Sequence, residues 1–243
     1  MSSGTLLSQF NGFLASHNLG NLMLQDMTNL FQDLHSGFLQ FIYDAGVDSR
    51  LPSTILDHRY HACLLHYAAV QLCDDLSDDE CSYIRDAPRR GPVLLMTLQN
   101  MFHQIIFRCS LTPDSIKSIL CSLEKMGPAQ YKELKTTKWN YTKAVHAADN
   151  LNGTQFSAYL LLLWDSSALA EKAFPIGSVL GRAVHIATDI LSNDKRYWSL
   201  DKQERIRLST VLKLDLDKLE QSSIPSVIAL VRSIRLKLRR ISA

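Results

Sequence analysis

Apolar positions recur along this chain at the three-to-four spacing of helices, and the strict alternation of a half-buried strand is nearly absent. The pattern predicts helices over residues 5–16, 20–44, 54–73, 92–109, 113–126, 128–148, 154–164, 166–172, 175–193, 201–212 and 224–240. Breaks are signalled by Gly46 with Pro52, Pro88 with Gly91, Pro113, Gly127-Pro128, Gly153 and Pro175. Thr112-Pro113-Asp114 reads as a helix start, with Thr112 capping and Pro113 in the first turn. Several predicted helices, such as Tyr159-Leu160-Leu161-Leu162-Leu163-Trp164, are apolar around most of their circumference, as interior helices of a large bundle are. No repeat, low-complexity tract or linker divides the chain. The expectation is an all-α fold, one large antiparallel helix bundle forming a single domain over residues 1–243.

Composition narrows the function classes. The 243 residues are 46% hydrophobic and 21% charged, with a net charge of +2, a balance that argues against a nucleic-acid binder working through bulk charge. No apolar run reaches membrane-spanning length, so no transmembrane segment is expected. The N-terminus lacks the basic start and apolar core of a signal peptide. The five cysteines, Cys63, Cys73, Cys81, Cys109 and Cys121, form no CxxC pair. Reduced thiols in a cytoplasmic protein are expected, and zinc is not.

The most informative stretch is Asp74-Asp75-Leu76-Ser77-Asp78-Asp79-Glu80, which closes the apolar run Cys63 to Cys73. On a helix, Asp74 and Asp78 share a face one turn apart, with Asp75 beside them. Unpaired burial of such carboxylates costs several kcal/mol or forces protonation. One solution is Mg²⁺, which takes one or two carboxylates together with waters and substrate phosphates; the other is a solvated acidic turn. A second segment, Leu180 to Asp194, repeats the design, its apolar stripe running into Asp189 with Ser192 and Asn193 roughly on the same face. Two such helices facing each other across a cavity would clamp a metal–diphosphate group.

Together these segments resemble the trans-isoprenyl diphosphate synthase family, of the class I terpenoid synthase fold, from about residue 46 to 215. Asp74, Asp75 and Asp78 match that family's first DDxxD motif. Arg89-Arg90-Gly91 is similar to its RRG segment, whose arginines bind the diphosphate of isopentenyl diphosphate, and Gln130 falls where the family has a GQ-containing helix. The segment Gly181 to Leu191 resembles the approach to the second aspartate motif. The resemblance implies a bundle around a central cavity and Mg²⁺ held by Asp74, Asp75, Asp78, Asp189 and Ser192. It also implies an allylic prenyl diphosphate substrate with isopentenyl diphosphate as acceptor, and a homodimer. Ala69 and Val70, one turn before the first motif, stand where bulky aromatics would stop chain growth, so a substrate longer than ten carbons is permitted.

The departures are informative. Thr188 replaces the first aspartate of the second motif and Ser192 the last. The early basic signature is reduced to Asp48-Ser49-Arg50-Leu51-Pro52, leaving Arg50 as its one candidate diphosphate ligand. Tyr67 stands for a His or Gln, Leu151-Asn152 for a Lys-Thr pair, and His185 for a Gln. The run Thr188 to Ser192 also partly matches the terpene cyclase metal motif, but Arg196 stands at its final acidic position. Three functions therefore remain open: chain-elongating prenyltransferase, terpene cyclase on the same scaffold, and a catalytically weak partner subunit of a heteromeric synthase. The scattered histidines, the three tryptophans and the basic stripe Arg232, Arg235, Lys237, Arg239 and Arg240 read most simply as packing and solvated surface.

Overall fold

The structure, a computed structural model, describes residues 3–17, 19–192 and 194–242. Among them there is no strand, and the fold is an all-α helix bundle. The chain divides into two compact units, Met1–Leu111 and Thr112–Ala243.

The N-terminal unit contains α1 (Ser3–Ala15), α2 (Asn21–Asp33), α3 (Ser36–Ser49), α4 (Ser53–Ser77) and α5 (Ala87–Ile106). Its spine is α4, whose Ala62, Cys63, Leu64, Leu65, Ala68, Ala69 and Leu72 are all buried, and α5 packs along it. Gly91 permits that approach, because a Cβ there would lie 2.6 Å from Leu76 Cδ2. Arg59 is buried to 1% exposure and donates from Nε and Nη2 to the carbonyls of Cys109 and Ser110, both at 3.0 Å. Those carbonyls lie just past the C-terminus of α5, where a cation also complements the helix dipole.

The single helix predicted over 20–44 is two. Leu34 and His35 take extended backbone, with ψ of 139° and 112°, and Leu34 turns into the core. The available signal was Ser36-Gly37 just beyond them. Pro88 with Gly91 does not break α5: Pro88 sits in its first turn, where a missing N–H donor costs little, and the helix continues through Pro92, which lies inside it and gives up one backbone hydrogen bond.

The C-terminal unit contains α6 (Pro113–Glu124), α7 (Met126–Leu134), α8 (Tyr141–Ala148), α9 (Thr154–Trp164), α10 (Ala173–Leu191), α11 (Lys195–Trp198), α12 (Lys202–Glu220) and α13 (Pro225–Ser242). Helix α9 is buried from Gln155 to Trp164 and forms the centre of this unit. Helix α10 lies against it at backbone distance: a Cβ on Gly177 would be 2.4 Å from Ser157 Cα, and one on Gly181 would be 2.0 Å from the Asn152 carbonyl oxygen. Thr112 caps α6 as expected, its Oγ1 accepting from the Ser115 N–H at 3.2 Å.

Several predicted boundaries change here. Gly153 is no break, because a π-helical turn, Asp149–Gly153, carries α8 into α9. The predicted 128–148 helix splits after Leu134, and Asn140 caps α8 by accepting from the Lys143 N–H at 2.9 Å. The 166–172 helix is only a 3₁₀ turn, Ala170–Lys172, while α11 was not predicted. Helix α12 runs past the predicted end, to Glu220, from a capping box formed by Asp201 and Glu204. No helix among the described residues is long and apolar enough to cross a membrane.

Packing and burial each make a prediction. Gly181→Ala should destabilise the protein by about 3 kcal/mol in urea unfolding, whereas Gly127→Ala, with nothing within 4 Å of its added Cβ, should be neutral or slightly stabilising. Burial pushes His61 and His66 from 6.5 down to about 4, with His58 and His17 acting on the first and His103 on the second. Between those values the unfolded chain binds more protons than the folded one, so stability falls as pH drops from about 6.5 towards 4. The midpoint of thermal unfolding should fall over that window, and His66→Phe should flatten the dependence; an unchanged profile would contradict the assignment.

Candidate functional site

Helix α4 delivers its aspartates to solvent at its C-terminal end. Asp74 and Asp78 are exposed there, and Asp78 is the C-cap, its N–H bonding the Asp74 carbonyl at 3.0 Å. Asp79 takes the left-handed conformation at φ 59°, and the Glu80 N–H returns to the Asp75 carbonyl at 2.8 Å, closing the helix. Asp75, by contrast, is buried to 9% exposure. Its Oδ1 accepts from Gln71 Nε2 at 2.7 Å and its Oδ2 from the Tyr83 hydroxyl at 2.6 Å. The Tyr83 hydroxyl is pushed far up by burial, then by Asp75, so it remains a donor. Asn29 donates to the Tyr83 carbonyl at 3.1 Å, which fixes the loop carrying this tyrosine.

Acidic groups at a helix C-terminus face the negative end of its dipole. Helix α4 has 25 residues, and its last turn holds no basic residue. Two solvent-facing carboxylates one turn apart, beside a third with lone pairs to spare, make a hard-oxygen donor set that suits Mg²⁺. Among the described residues no group of three or more His, Cys, Asp or Glu converges as a metal cage. Mg²⁺ needs none, since it keeps waters and takes substrate phosphates.

The two arginines of the predicted diphosphate segment part company. Arg89 is 86% exposed, with Asp86 at 4.0 Å. Arg90 is committed to the buried Asp26, at 2.5 Å, and also donates to the carbonyls of Arg85 and Leu22. It straps α2 to α5. Arg50 is exposed at the C-cap of α3, in left-handed backbone with φ 57°. Ala69 is buried and Val70 half-buried, both on α4.

In the C-terminal unit, α10 ends in the same way. Asp189 is buried to 5% exposure, and the Asp194 N–H bonds its carbonyl at 3.0 Å. That bond turns the chain into α11, which carries Arg196. The Arg196 guanidinium meets Asp194 through Nε at 2.9 Å and Nη2 at 2.7 Å, lies 3.3 Å from Asp189 Oδ1, and pairs with Glu133 of α7. Burial and then the Asp194 charge push the Asp189 carboxyl up to about 8. His185, one turn before Asp189, is held down to about 4 by burial and is neutral. Its Nδ1 lies 3.0 Å from Asn152 Oδ1, and its Nε2 faces Asp189 Oδ2 at 3.8 Å.

Ser192 is exposed, and its hydroxyl donates back to the Thr188 carbonyl at 2.8 Å. Gln130 lies half-buried on α7, one turn before Glu133. Asn193 falls outside the described residues. The π-helical turn that supplies Asn152 also supplies Asp149, which pairs with Arg182 at 3.0 Å, and Arg182 makes a bidentate pair with Asp215 of α12. Sequence reasoning missed Tyr83, Gln71 and Glu133 as partners. Gln71 was readable from its four-residue spacing to Asp75, whereas Tyr83 and Glu133 come from loops and helices that only folding brings close.

Two cavities lie away from the expected site residues. One of about 470 Å³ in the N-terminal unit is lined by Phe13, His17, Asp57, His58, His61 and Arg108 among others. A shallower one of about 430 Å³ lies along α12.

No family model matches the sequence, and no curated protein matches it. Solved structures do. A geranyltransferase from Legionella pneumophila aligns with a TM-score of 0.72 at 13% identity, over 97% of this chain and 93% of that one. A geranyltranstransferase from Thermotoga maritima aligns with 0.72 at 14% identity, over 99% and 98%. The chain has a trans-isoprenyl diphosphate synthase-like fold. An isoprenoid synthase family member from Thermotoga neapolitana gives 0.69 at 14% identity, over 97% and 99%. The likeness to isoprenyl synthases thus spans both units, and at these identities it is a likeness of fold.

The split between the two arginines is testable. Arg90→Ala leaves the buried Asp26 unpaired and should cost about 2 kcal/mol of stability, while Arg89→Ala should change it by less than about 0.5 kcal/mol. Equal costs in chemical denaturation would contradict the placement.

Proposed function

We propose that the protein is a Mg²⁺-dependent prenyltransferase that acts on allylic isoprenyl diphosphates and elongates them with isopentenyl diphosphate. The observation that carries this reading is the acidic end of α4: Asp74 and Asp78 face solvent at the negative end of a 25-residue helix whose last turn has no basic residue. Exposed carboxylates so placed form a hard-oxygen set suited to Mg²⁺. The isoprenyl-synthase-like fold supports the choice of a diphosphate as the cation's second ligand.

In this reading Asp74 and Asp78 hold Mg²⁺, and Asp75 contributes the lone pairs that Gln71 and Tyr83 leave over. Bound there, Mg²⁺ supplies the positive charge that stabilises a departing diphosphate. Gln71 and Tyr83 fix the Asp75 carboxylate, so their role is positioning. Arg89 is the arginine of its pair free to meet a second diphosphate, with Arg50 as a further candidate. Ala69 and Val70, small for their place before the motif, leave room for a substrate longer than ten carbons.

One observation favours a second reading. Arg90 is spent on Asp26, which reduces the isopentenyl diphosphate site the resemblance implies. A terpene cyclase, ionising the prenyl diphosphate without that partner, fits such a reduced site.

The test is incubation of the full chain with Mg²⁺ and C10, C15 or C20 allylic diphosphates, with and without isopentenyl diphosphate, and mass spectrometry of the products. Longer diphosphates that form only with isopentenyl diphosphate are expected. Asp74→Ala should lower turnover by about 100-fold or more, and Tyr83→Phe by about 10- to 100-fold. Hydrocarbons or alcohols formed without isopentenyl diphosphate would establish the cyclase instead. No turnover in any arm would sink both enzyme readings and leave a partner subunit, which co-elution with an active synthase would reveal.

A further inference from the structure

The two acidic helix ends of this chain are built alike and neutralised differently. In each, an aspartate is buried and its carbonyl accepts the N–H five residues on: Asp75 from Glu80 at 2.8 Å, and Asp189 from Asp194 at 3.0 Å. In each, the residue four positions earlier turns a polar atom towards the carboxylate, Gln71 in one and His185 in the other. The difference lies in the side chain that the next loop or helix brings back. Asp75 receives a neutral donor, Tyr83; Asp189 receives a cation, Arg196.

The second end therefore does not fit a divalent metal. A guanidinium offers five N–H donors in a plane. Here Nη1 goes to Glu133, Nη2 to both Asp189 and Asp194, and Nε to Asp194. Asp194 is further bound to the backbone of the same arginine, its Oδ1 accepting the Arg196 N–H at 2.6 Å, so helix start and side chain are locked by one carboxylate. Ser192, the other oxygen expected to face a metal, has its hydroxyl turned back onto the helix. His185 is neutral and adds no charge.

We propose that Arg196 is the resident cation of this second acidic segment, occupying with its guanidinium the place for which the resemblance implies a divalent metal. Metal binding by this chain is then confined to the aspartates of α4. The assignment relies on the prenyl diphosphate reading only to name the segment; it concerns what neutralises Asp189, and it is tested by metal binding rather than by turnover.

The experiment counts Mn²⁺ ions bound to the full chain by electron paramagnetic resonance of the free ion, with folding monitored by circular dichroism. The wild-type protein and Asp189→Asn should bind the same number of ions with affinities within about twofold. Arg196→Gln should bind one ion more than wild type, and Arg196→Gln/Asp189→Asn should lose that ion again. Loss of an ion from wild type on Asp189→Asn would overturn the proposal, as would a folded Arg196→Gln that gains none. If Arg196→Gln does not fold, the comparison of wild type with Asp189→Asn decides. A wild-type protein that binds no Mn²⁺ sinks the metal site on α4 while agreeing with a metal-free Asp189, so the two failures are distinguishable.

Discussion

Everything about the candidate chemistry depends on one electrostatic constraint: carboxylates placed at the negative end of a helix need positive charge nearby. Two helices of this chain break the usual preference by ending their apolar stripes in aspartate. At α10 the chain answers the constraint itself, folding back through the Asp189–Asp194 bond to bring Arg196 over the carboxylates. At α4 it gives Asp75 two neutral donors, and Asp74 and Asp78 lie exposed at the helix end. The end of α10 is closed by a cation of the chain itself. The end of α4 is suited to a cation that comes and goes.

That division is stable because the scaffold beneath it is rigid. Helix α9 is buried along nearly its whole length, and α10 is pressed onto it through Gly177 and Gly181, positions where even a methyl group would meet backbone. Arg182 ties α10 to α12 through Asp215 and to the π-helical turn through Asp149, and these pairs hold its guanidinium protonated, the Asp215 hydrogen bonds foremost. In the N-terminal unit the Asp26–Arg90 pair and the Asn29–Tyr83 hydrogen bond fasten α2 to the segment that supports Asp75. Side chains that look like ligands in the sequence are thus divided by their neighbours into struts, such as Arg90, and groups left in solvent, such as Arg89.

Much of the fold was legible because helical periodicity and caps are local. The all-α class, the Thr112 cap and the buried character of α9 all depend on residues within a few positions of one another. The split at Leu34 had only Ser36-Gly37 as its signal, and the continuity through Gly153 had none. At Leu34 the chain bends so that an apolar side chain can enter the core, and at Gly153 glycine serves close packing against Ser178 rather than a turn. The site shows the same boundary. Asp74, Asp75 and Asp78 could be read from spacing alone, and so could the oddity of Arg196. The closing of Glu133, some sixty positions earlier, onto that arginine could not be read, nor could the return of Tyr83 onto Asp75. Those pairings are tertiary.

The measurement that bears most directly on the central claim is calorimetric titration of a non-reactive allylic thiodiphosphate into the full chain, with Mg²⁺ and with a chelator. The account predicts binding that requires Mg²⁺ and is lost when both Asp74 and Asp78 are changed to Asn in a protein that still folds. Binding of equal strength without Mg²⁺, or unaffected by those two substitutions, would contradict it.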